Sequence, residues 1–167
     1  MPDNHNSVQR HNNMAAIKGK DTKPEMIVRR YLWNNGFRYR LNHPLLPGKP
    51  DVVLRKYRTC IFVNGCFWHG HEGCRYFVMP KSNVDFWQTK ITRNKKRDSA
   101  VQKKLAAMGW HSITIWECEL KPSVCNKTLE SLAFTLNHLF IENRKVHSYT
   151  MPEDDDLSIA AEPSGEN

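Results

Sequence analysis

The sequence predicts an α/β fold in which a mixed β-sheet is flanked by helices. Short runs rich in branched and aromatic residues alternate with longer segments of helical periodicity, in the order α-β-β-β-α-β-α. The chain has 167 residues, which is the usual size of one domain and is enough to bury a core. We therefore expect one domain built around a single sheet.

The first clear helix is expected to begin at Thr22. Thr22 can cap this helix, Pro24 lies in its first turn, and Glu25 completes a capping box. Capping accounts for Glu25, although a carboxylate here could also serve a nearby metal site. Residues 34–36 end the helix with a glycine. Its amphipathic face is assigned to Met26, Ile27, Arg30, Tyr31, Leu32 and Trp33.

The next three segments are predicted as strands. Residues 37–41 alternate apolar and basic side chains, as in a strand with one face in water. After a loop, residues 50–54 form a buried strand led by Asp51, and residues 60–63 form its hairpin partner. Asp51 thus stands at the edge of an apolar sheet, where it could cap a turn or bind a metal ion.

A long helix is predicted from residues 82–85 to Met108, where Gly109 stops it. Asn94 and Asp98 interrupt its apolar stripe, and they could be buried polar partners or point into a site. The helix also carries a basic run, which fits either a solvated face or contact with phosphates. That run comprises Arg93, Lys95, Lys96 and Arg97. A strand over residues 110–120 and a last amphipathic helix, ending near residue 143, complete the order.

The net charge of +8 is unevenly distributed along the chain. Residues 151–167 hold six acidic residues and no Lys or Arg, so residues 1–150 carry a formal charge of +14. A domain this basic usually meets a polyanion, although solubility alone could explain the charge. The acidic tail has the composition of a disordered segment. Without a membrane-length apolar run or an apolar N-terminal signal segment, we expect a cytoplasmic protein.

Residues 61–74, IFVNGCFWHGHEGC, combine metal-ligand chemistry with large aromatic side chains. The thiol and imidazole groups of this loop are Cys66, His69, His71 and Cys74. If the two cysteines and His71 bind one Zn²⁺, a tetrahedral site needs a fourth ligand. Cys118, at the end of a predicted strand, is the natural choice, with Cys125 and His69 as rivals. A closed site of this kind would be structural rather than catalytic.

If His71 binds the metal, His69 is left over beside Trp68. An imidazole titrates near neutral pH and can act as a general base, although a spare loop histidine is more often a surface residue. Asp51 opens the strand that pairs with the one feeding this loop. An acid that holds Mg²⁺, a base and a basic surface together describe phosphodiester hydrolysis.

Two further features could contact DNA. Phe67, Trp68, Phe86 and Trp87 could fill the core, or they could stack on or wedge between bases. The N-terminal arm around Met14 is basic and could lie along DNA, or it could be a frayed terminus docked by its apolar residues.

Five segments resemble the very short patch repair (Vsr) endonuclease family. They are RHNNMAAIKGKDTKPE, LPGKPDVVL, IFVNGCFWHGHEGC, FWQTKITRNKKRD and WECEL, in this order over about residues 8–121. The resemblance implies a restriction-endonuclease-like α/β core, as a zinc-bearing variant of the PD-(D/E)xK group. It also implies an enzyme that nicks DNA on the 5′ side of the thymine in a T:G mismatch, the product of 5-methylcytosine deamination.

The resemblance implies a role for each site residue. Asp51 matches an aspartate that binds Mg²⁺, Val63 matches a position whose backbone carbonyl binds the same ion, and His69 matches the general base. Glu25 matches an acid close to that metal. Cys66, His71, Cys74 and Cys118 match zinc ligands. Contacts with DNA are expected from Met14, Phe67, Trp68, Trp87, Arg93, Asn94 and Lys95.

The chain departs from the best-known family pattern at Asn64, where a second active-site histidine is usual. Asn can hydrogen-bond a phosphate but cannot donate a proton as an acid, so the leaving oxygen would take its proton from water. Glu72 and Gly73 also displace the next cysteine by one residue, which lengthens the zinc loop without removing a ligand.

Three functions are weighed on this basis. The first is a Mg²⁺-dependent T:G mismatch nickase, the second a restriction or mobile-element nuclease of the same fold, and the third a non-catalytic zinc-stapled DNA-binding module. The expected organisation is a DNA-gripping arm over residues 1–20, an endonuclease domain over 21–145 with its zinc loop at 64–76, and an acidic tail over 146–167. The resemblance further implies a monomer at the bacterial nucleoid, a MutL-type repair partner and a link to a DNA cytosine methyltransferase.

Overall fold

The structure is a computed structural model that describes residues 7–16 and 18–145. This range contains four α-helices, which are α1 (Ser7–Ala15), α2 (Lys23–Asn34), α3 (Val84–Ala107) and α4 (Cys125–Lys145). It also contains three strands, β1 (Val52–Leu54), β2 (Thr59–Asn64) and β3 (His111–Trp116). Short 3-10 helices at Arg55–Tyr57 and Glu117–Leu120 follow β1 and β3.

The three strands form a mixed sheet in the order β1-β2-β3. Strand β1 pairs antiparallel with β2, with Val52 opposite Ile61. Strand β3 returns parallel to β2 after the crossover through α3, so that Asn64 is level with Trp116. This crossover brings the carboxyl ends of β2 and β3 to the same edge of the sheet, next to the beginning of β1.

The predicted strand over residues 37–41 was wrong in extent. Only Arg40 pairs with the sheet, through an isolated antiparallel bridge to Val53. Phe37 instead turns into the core and packs against Tyr57 at 5.3 Å between ring centroids. The neighbouring side chains stay largely in water, so little burial holds this segment in an extended ladder.

Helices cover both faces of the sheet and give the fold three layers. On one face, residues of α2 and α4 such as Val28, Leu32 and Leu136 pack against Val52, Leu54 and Ile61. On the other face, Leu105 of α3 packs against Val53 and Cys60. The sheet is therefore buried on both faces, and its polar side chains can reach solvent at its edges and ends.

The predicted Thr22 cap of α2 is confirmed, but Glu25 accepts hydrogen bonds from the Asp21 N–H and the Thr22 hydroxyl instead of closing a capping box on the Thr22 N–H. Thr22 accepts a hydrogen bond from the Glu25 N–H at 3.4 Å.

The assigned apolar face is right only in part, since Leu32 is buried and Tyr31 packs against the core. The face that turns inward carries two charged residues, and it comprises Glu25, Val28, Arg29 and Leu32. Trp33, by contrast, is 54% exposed.

Some expectations concern residues outside the described part of the chain. The acidic tail lies beyond residue 145, and the side chain of Met14 is likewise not described. Within the described residues, no helix has both the length and the apolar character needed to cross a bilayer.

Candidate active site and metal centre

A cleft of about 840 Å³ opens at the end of the sheet where β2 stops and β1 begins. The helix starts and loops around it contribute polar groups from distant parts of the sequence. The chemically important lining residues are Glu25, Asp51, Val63, Asn64, His69 and Asp98. The crossover between β2 and β3 thus creates a concave site at one sheet edge.

Asp51 is fixed at the mouth of this cleft by the backbone of β2. Its Oδ2 accepts a hydrogen bond from the Val63 N–H at 2.7 Å. Because β1 begins only at Val52, the outer edge of β2 at Val63 has no strand beside it, and the carboxylate takes that place. Burial raises the pKa of Asp51 to about 6; the Glu25 carboxylate adds to the rise and the Val63 N–H opposes it.

Glu25 lies near Asp51 but is held by neighbours on its own helix. Its two oxygens accept hydrogen bonds from the Thr22 hydroxyl at 3.0 Å and from the Asp21 N–H at 2.9 Å. The buried Arg29 guanidinium bridges Glu25 at 2.9 Å and Asp21 at 2.5 Å. Glu25 is therefore a restrained carboxylate whose charge Arg29 balances.

His69 makes a short contact with Asp98 on α3. The Nδ1 atom of His69 lies 2.6 Å from Asp98 Oδ2, and both side chains are about three-quarters buried. In the neutral imidazole, an Nδ1–H that donates to the carboxylate leaves Nε2 as an acceptor. The pair therefore has the arrangement of a general base oriented by an acid.

The loop that carries His69 lies directly on α3. Asn94 donates a hydrogen bond from Nδ2 to the Trp68 carbonyl at 2.8 Å, one helical turn before Asp98. Gly70 has a φ of +59°, and a Cβ there would lie 2.7 Å from the Ile91 side chain and 2.5 Å from that of Lys95. Lys95 in turn pairs with Glu72 at 2.5 Å. This close seating requires glycine at position 70.

Four residues gather into a second cluster beside this loop. The ligand atoms of Cys66, His71, Cys74 and Cys118 all lie within 4.8 Å of one another. Cys118 Sγ is 3.5 Å from His71 Nδ1, and the His71 ring stacks on Trp116 at 4.1 Å. Burial raises the pKa of the Cys66 thiol and that of Cys118, to about 12 for the latter, and a bound cation would offset this cost. The four groups could hold one metal ion.

The rival ligands lie elsewhere. Cys125 is the first residue of α4 and packs against the apolar core. His69 is engaged with Asp98. Of the cysteines weighed for the fourth position, Cys118 is the one that joins the loop.

Aromatic side chains form a compact group next to the cleft. Phe67, Trp68 and Trp87 pack edge to face, with ring centroids 5.2 to 5.8 Å apart. The ammonium group of Lys90 lies 5.1 Å from the Trp68 ring and 5.5 Å from that of Trp87. Phe86 adjoins Trp87 and is 58% exposed. We call these four aromatic residues the aromatic group.

Basic side chains border the cleft, and one of them, Arg97, belongs to the expected basic run. Lys18, Lys49 and Arg97 line the cleft itself. Arg93 is exposed on α3, whereas the charge of Lys95 is engaged by Glu72. Asn64 also lines the cleft, at the end of β2.

Sequence reasoning missed several partners that complete the site. Neither Arg29 nor Lys90 was singled out. Glu117, which lines the cleft and precedes Cys118 of the second cluster, was not singled out either. The interrupted apolar stripe of α3 was the available signal for Asp98 and Asn94, but the identity of their partners was not readable from spacing.

The sequence of this chain is similar to those of known DNA endonucleases. A family model described as "DNA mismatch endonuclease Vsr" matches residues 2–75. The "Type II nicking enzyme V.NmeAIP" of Neisseria meningitidis is 48% identical over 120 residues, which cover 71% of this chain and 85% of that protein.

Two other relatives are also similar to this chain in sequence. The "DNA mismatch endonuclease Vsr" of Escherichia coli is 39% identical over 121 residues, covering 72% of this chain and 77% of that protein. The "Type II nicking enzyme V.XorIIP" of Xanthomonas oryzae is 47% identical over 107 residues, covering 64% and 78% respectively. On these similarities, the chain belongs to the Vsr family of DNA mismatch endonucleases.

Proposed function

We propose that this protein is a Mg²⁺-dependent DNA endonuclease that nicks one strand on the 5′ side of the thymine in a T:G mismatch. The relatives are named as a mismatch endonuclease and as nicking enzymes, which supports a DNA-nicking reaction. The observation that carries the proposal is that Asp51 and the His69–Asp98 pair line one cleft bordered by basic side chains.

The residues around Asp51 suit a magnesium ion. Mg²⁺ prefers oxygen ligands, and the buried carboxylate carries a charge that its surroundings compensate poorly. The N–H and C=O of one strand residue point to the same edge, so the Val63 carbonyl faces the side on which its N–H meets Asp51. Asp51 and that carbonyl would hold the ion, with Glu25 restrained nearby. When bound, Mg²⁺ supplies charge neutralisation at the scissile phosphate.

The chain's own groups would carry the proton transfer. Asp98 holds the His69 ring so that Nε2 accepts a proton from the attacking water. Lys49 and Arg97 would grip phosphates on either side of the attacked one. Asn64 would donate a hydrogen bond to a phosphate oxygen but would not protonate the leaving oxygen.

The second cluster would hold zinc and keep the catalytic loop in shape. Three thiolates and one imidazole are a usual donor set for structural Zn²⁺, and bonds of about 2.0–2.3 Å place the donors about 3.5–3.8 Å apart. The observed spread of up to 4.8 Å needs only a small contraction. His71 and His69 are two residues apart, so the site would fix the base from one side while α3 fixes it from the other.

The aromatic group would provide the mismatch test. Wedging side chains between base pairs costs stacking energy, and the cost is lower where pairing is already weakened. We assign this role to Phe67, Trp68 and Trp87. The same proposal includes the expected domain limits, the restriction-endonuclease-like core and a monomer acting at the bacterial nucleoid. The proposal also includes contact of Met14 with DNA, a MutL-type repair partner and a link to a DNA cytosine methyltransferase.

A duplex panel tests the proposed function. End-labelled T:G and matched C:G duplexes of the same sequence are incubated with the zinc-loaded protein, with and without Mg²⁺. We expect a single nick 5′ of the mismatched thymine, only with Mg²⁺ and only in the T:G duplex. Equal cutting of both duplexes would point to the restriction-type alternative. Tight mismatch binding without any nick would support the non-catalytic alternative.

A further inference from the structure

We propose that Glu117 is a specificity-determining residue whose carboxylate accepts a hydrogen bond from the amino group of a nucleobase close to the mismatch. This inference rests on the proposed function and deepens it, because it assigns to one residue the recognition of the sequence around the T:G pair. Glu117 lines the cleft and has neither an ion pair nor a side-chain hydrogen bond within the described part of the chain.

Among the residues that the structure describes, four carboxylates line the cleft, and three of them are already engaged. Glu25 balances a buried guanidinium at 2.9 Å, Asp98 lies 2.6 Å from the imidazole of the proposed base, and Asp51 is bonded to β2 at 2.7 Å. Glu117 is the fourth. A carboxylate repels the phosphates of DNA, so its place in a basic cleft is best explained by a hydrogen-bond donor on the DNA.

The local fold does not account for Glu117. It is the first residue of the 3-10 helix Glu117–Leu120, and a carboxylate near a helix start can be stabilising. That role is already filled by Glu119, whose Oε2 accepts the Trp116 N–H at 2.8 Å. Glu117 is exposed and buries little apolar surface. Its carboxylate is therefore available to a ligand in the cleft.

Glu117 lies close to the aromatic group as well as to the cleft. Strand β3 ends level with Asn64, the last residue of β2, and Glu117 follows directly. A Cβ on Gly65 would lie 3.4 Å from Trp68 Cδ1 and 3.7 Å from Glu117 Oε2, so both side chains reach the same point beside Gly65. The same cleft contains the proposed magnesium site. A nucleobase next to the wedged step would therefore meet this carboxylate.

A carboxylate can only accept hydrogen bonds, so it selects nucleobases that present an N–H donor. Cytosine N4 and adenine N6 present amino groups in the major groove, and guanine N2 presents one in the minor groove. Thymine has no amino group. Replacement of the contacted nucleobase by thymine should therefore remove the contact, and a set of duplexes can identify which amino group is bound.

A context panel tests the inference without depending on nicking. Affinity is measured by fluorescence anisotropy, without Mg²⁺, for T:G duplexes in which the two base pairs on each side of the mismatch are varied singly. We expect the wild type to favour an amino-bearing nucleobase at one position by about tenfold, and Glu117→Ala to lose that preference while keeping any preference elsewhere. Identical context ratios in the two proteins, or equal wild-type affinity for every context, would overturn the inference.

Deletion of the amino group from the DNA gives a matched chemical test. At the preferred position, cytosine is replaced by 2-pyrimidinone, adenine by purine or guanine by hypoxanthine, each of which lacks only the amino group. We expect this deletion to weaken wild-type binding about tenfold and Glu117→Ala binding by no more than about twofold, because the contact is already lost. Effects that multiply in the combination would show that the amino group and Glu117 do not meet.

Two further variants exclude loss of structure. Glu130→Ala removes an exposed carboxylate from α4 and should leave every context ratio unchanged. Glu117→Gln keeps the size of the side chain and an acceptor oxygen but loses the charge, so its preference should fall between those of the wild type and Glu117→Ala. Zinc content and unfolding midpoints equal to those of the wild type confirm that the variants fold.

Nicking rates separate this inference from the proposed function. With Mg²⁺ restored, single-turnover nicking by Glu117→Ala should lose the same context preference that binding loses. Absence of nicking by the wild type, with its binding preference intact, would contradict only the proposed reaction. A raised Mg²⁺ requirement in Glu117→Ala, with unchanged context ratios, would assign the carboxylate to a second metal ion and would overturn the inference.

Discussion

Asp51, the proposed magnesium ligand, is buried at a cost to the stability of the folded protein. Its carboxylate is buried against the edge of β2, and its pKa is raised from the ordinary value of 3.8 to about 6. The folded protein therefore binds a proton at Asp51 more tightly than the unfolded chain does. The stabilisation that protonated Asp51 provides is present below about pH 4 and is lost as the pH rises through about 6.

Asp51→Asn should therefore make the Mg²⁺-free, zinc-loaded protein more stable at pH 7.5, by about 1–2 kcal/mol. An amide can still accept the Val63 hydrogen bond but carries no buried charge. Urea unfolding at pH 7.5 and pH 4.5 checks this, and the gain should shrink at the lower pH. A variant that is less stable than the wild type by the same amount at both pH values would contradict it.

Asp98→Asn should slow nicking by about 10²–10⁴-fold while leaving DNA affinity nearly unchanged. The amide cannot stabilise a positive imidazole, and it can turn its NH₂ toward Nδ1 and so favour the wrong tautomer. Single-turnover rates with T:G duplex give the result. Asp85→Asn, in the first turn of the same helix, is the matched control; a comparable loss there would assign the effect to the helix as a whole.

At the level of elements, patterns with local causes were readable from the sequence. The Thr22 cap, the end of α3 near Gly109 and the order of the elements from β1 to α4 follow from propensity and turn chemistry. The α2 face was assigned only in part, because Glu25 and Arg29 bury their charges in a pair, and periodicity treats both as solvent-facing. In α3, Asn94 and Asp98 also interrupt the apolar stripe, and both contact the loop that carries His69.

Cys118→Ser should release the metal and loosen the catalytic loop. We expect zinc content to fall from about one per chain to near zero and the unfolding midpoint to drop by about 10 °C or more, because metal binding is coupled to folding. Elemental analysis and thermal unfolding measure both. Cys125→Ser, at the core end of α4, should keep its zinc; zinc retention by Cys118→Ser would remove that residue from the ligand set.

At the level of the whole molecule, the site depends on contacts that sequence spacing cannot supply. Val63 and Asp51 meet because of the hairpin register, and His69 and Asp98, 29 residues apart, meet because the crossover lays α3 beside the loop. Cys118 and His71 are 47 residues apart and depend on the parallel pairing of β2 with β3. The family resemblance named candidate residues, while the contacts between those residues and their neighbours required the fold.

The distribution of charge should control affinity for DNA more than the rate of cutting. Lys49→Gln and Arg97→Gln each remove one cation from the cleft border, so each should reduce the slope of log K against log salt by about 1. Fluorescence anisotropy over a range of salt concentrations measures the slopes. Lys127→Gln, on the exposed surface of α4, is the control; equal slopes for all variants would place the DNA elsewhere.

The most direct test of the central claim separates binding from cutting at the cleft. Single-turnover nicking of a strand-labelled T:G duplex is measured for the wild type, Asp51→Ala and His69→Ala, with affinity determined in parallel. The wild type should nick only 5′ of the mismatched thymine, and both variants should bind within about threefold of it yet cut at least about 10³-fold more slowly. Cutting by either variant at the wild-type rate would show that the cleft holding Asp51 and His69 is not the site of nicking.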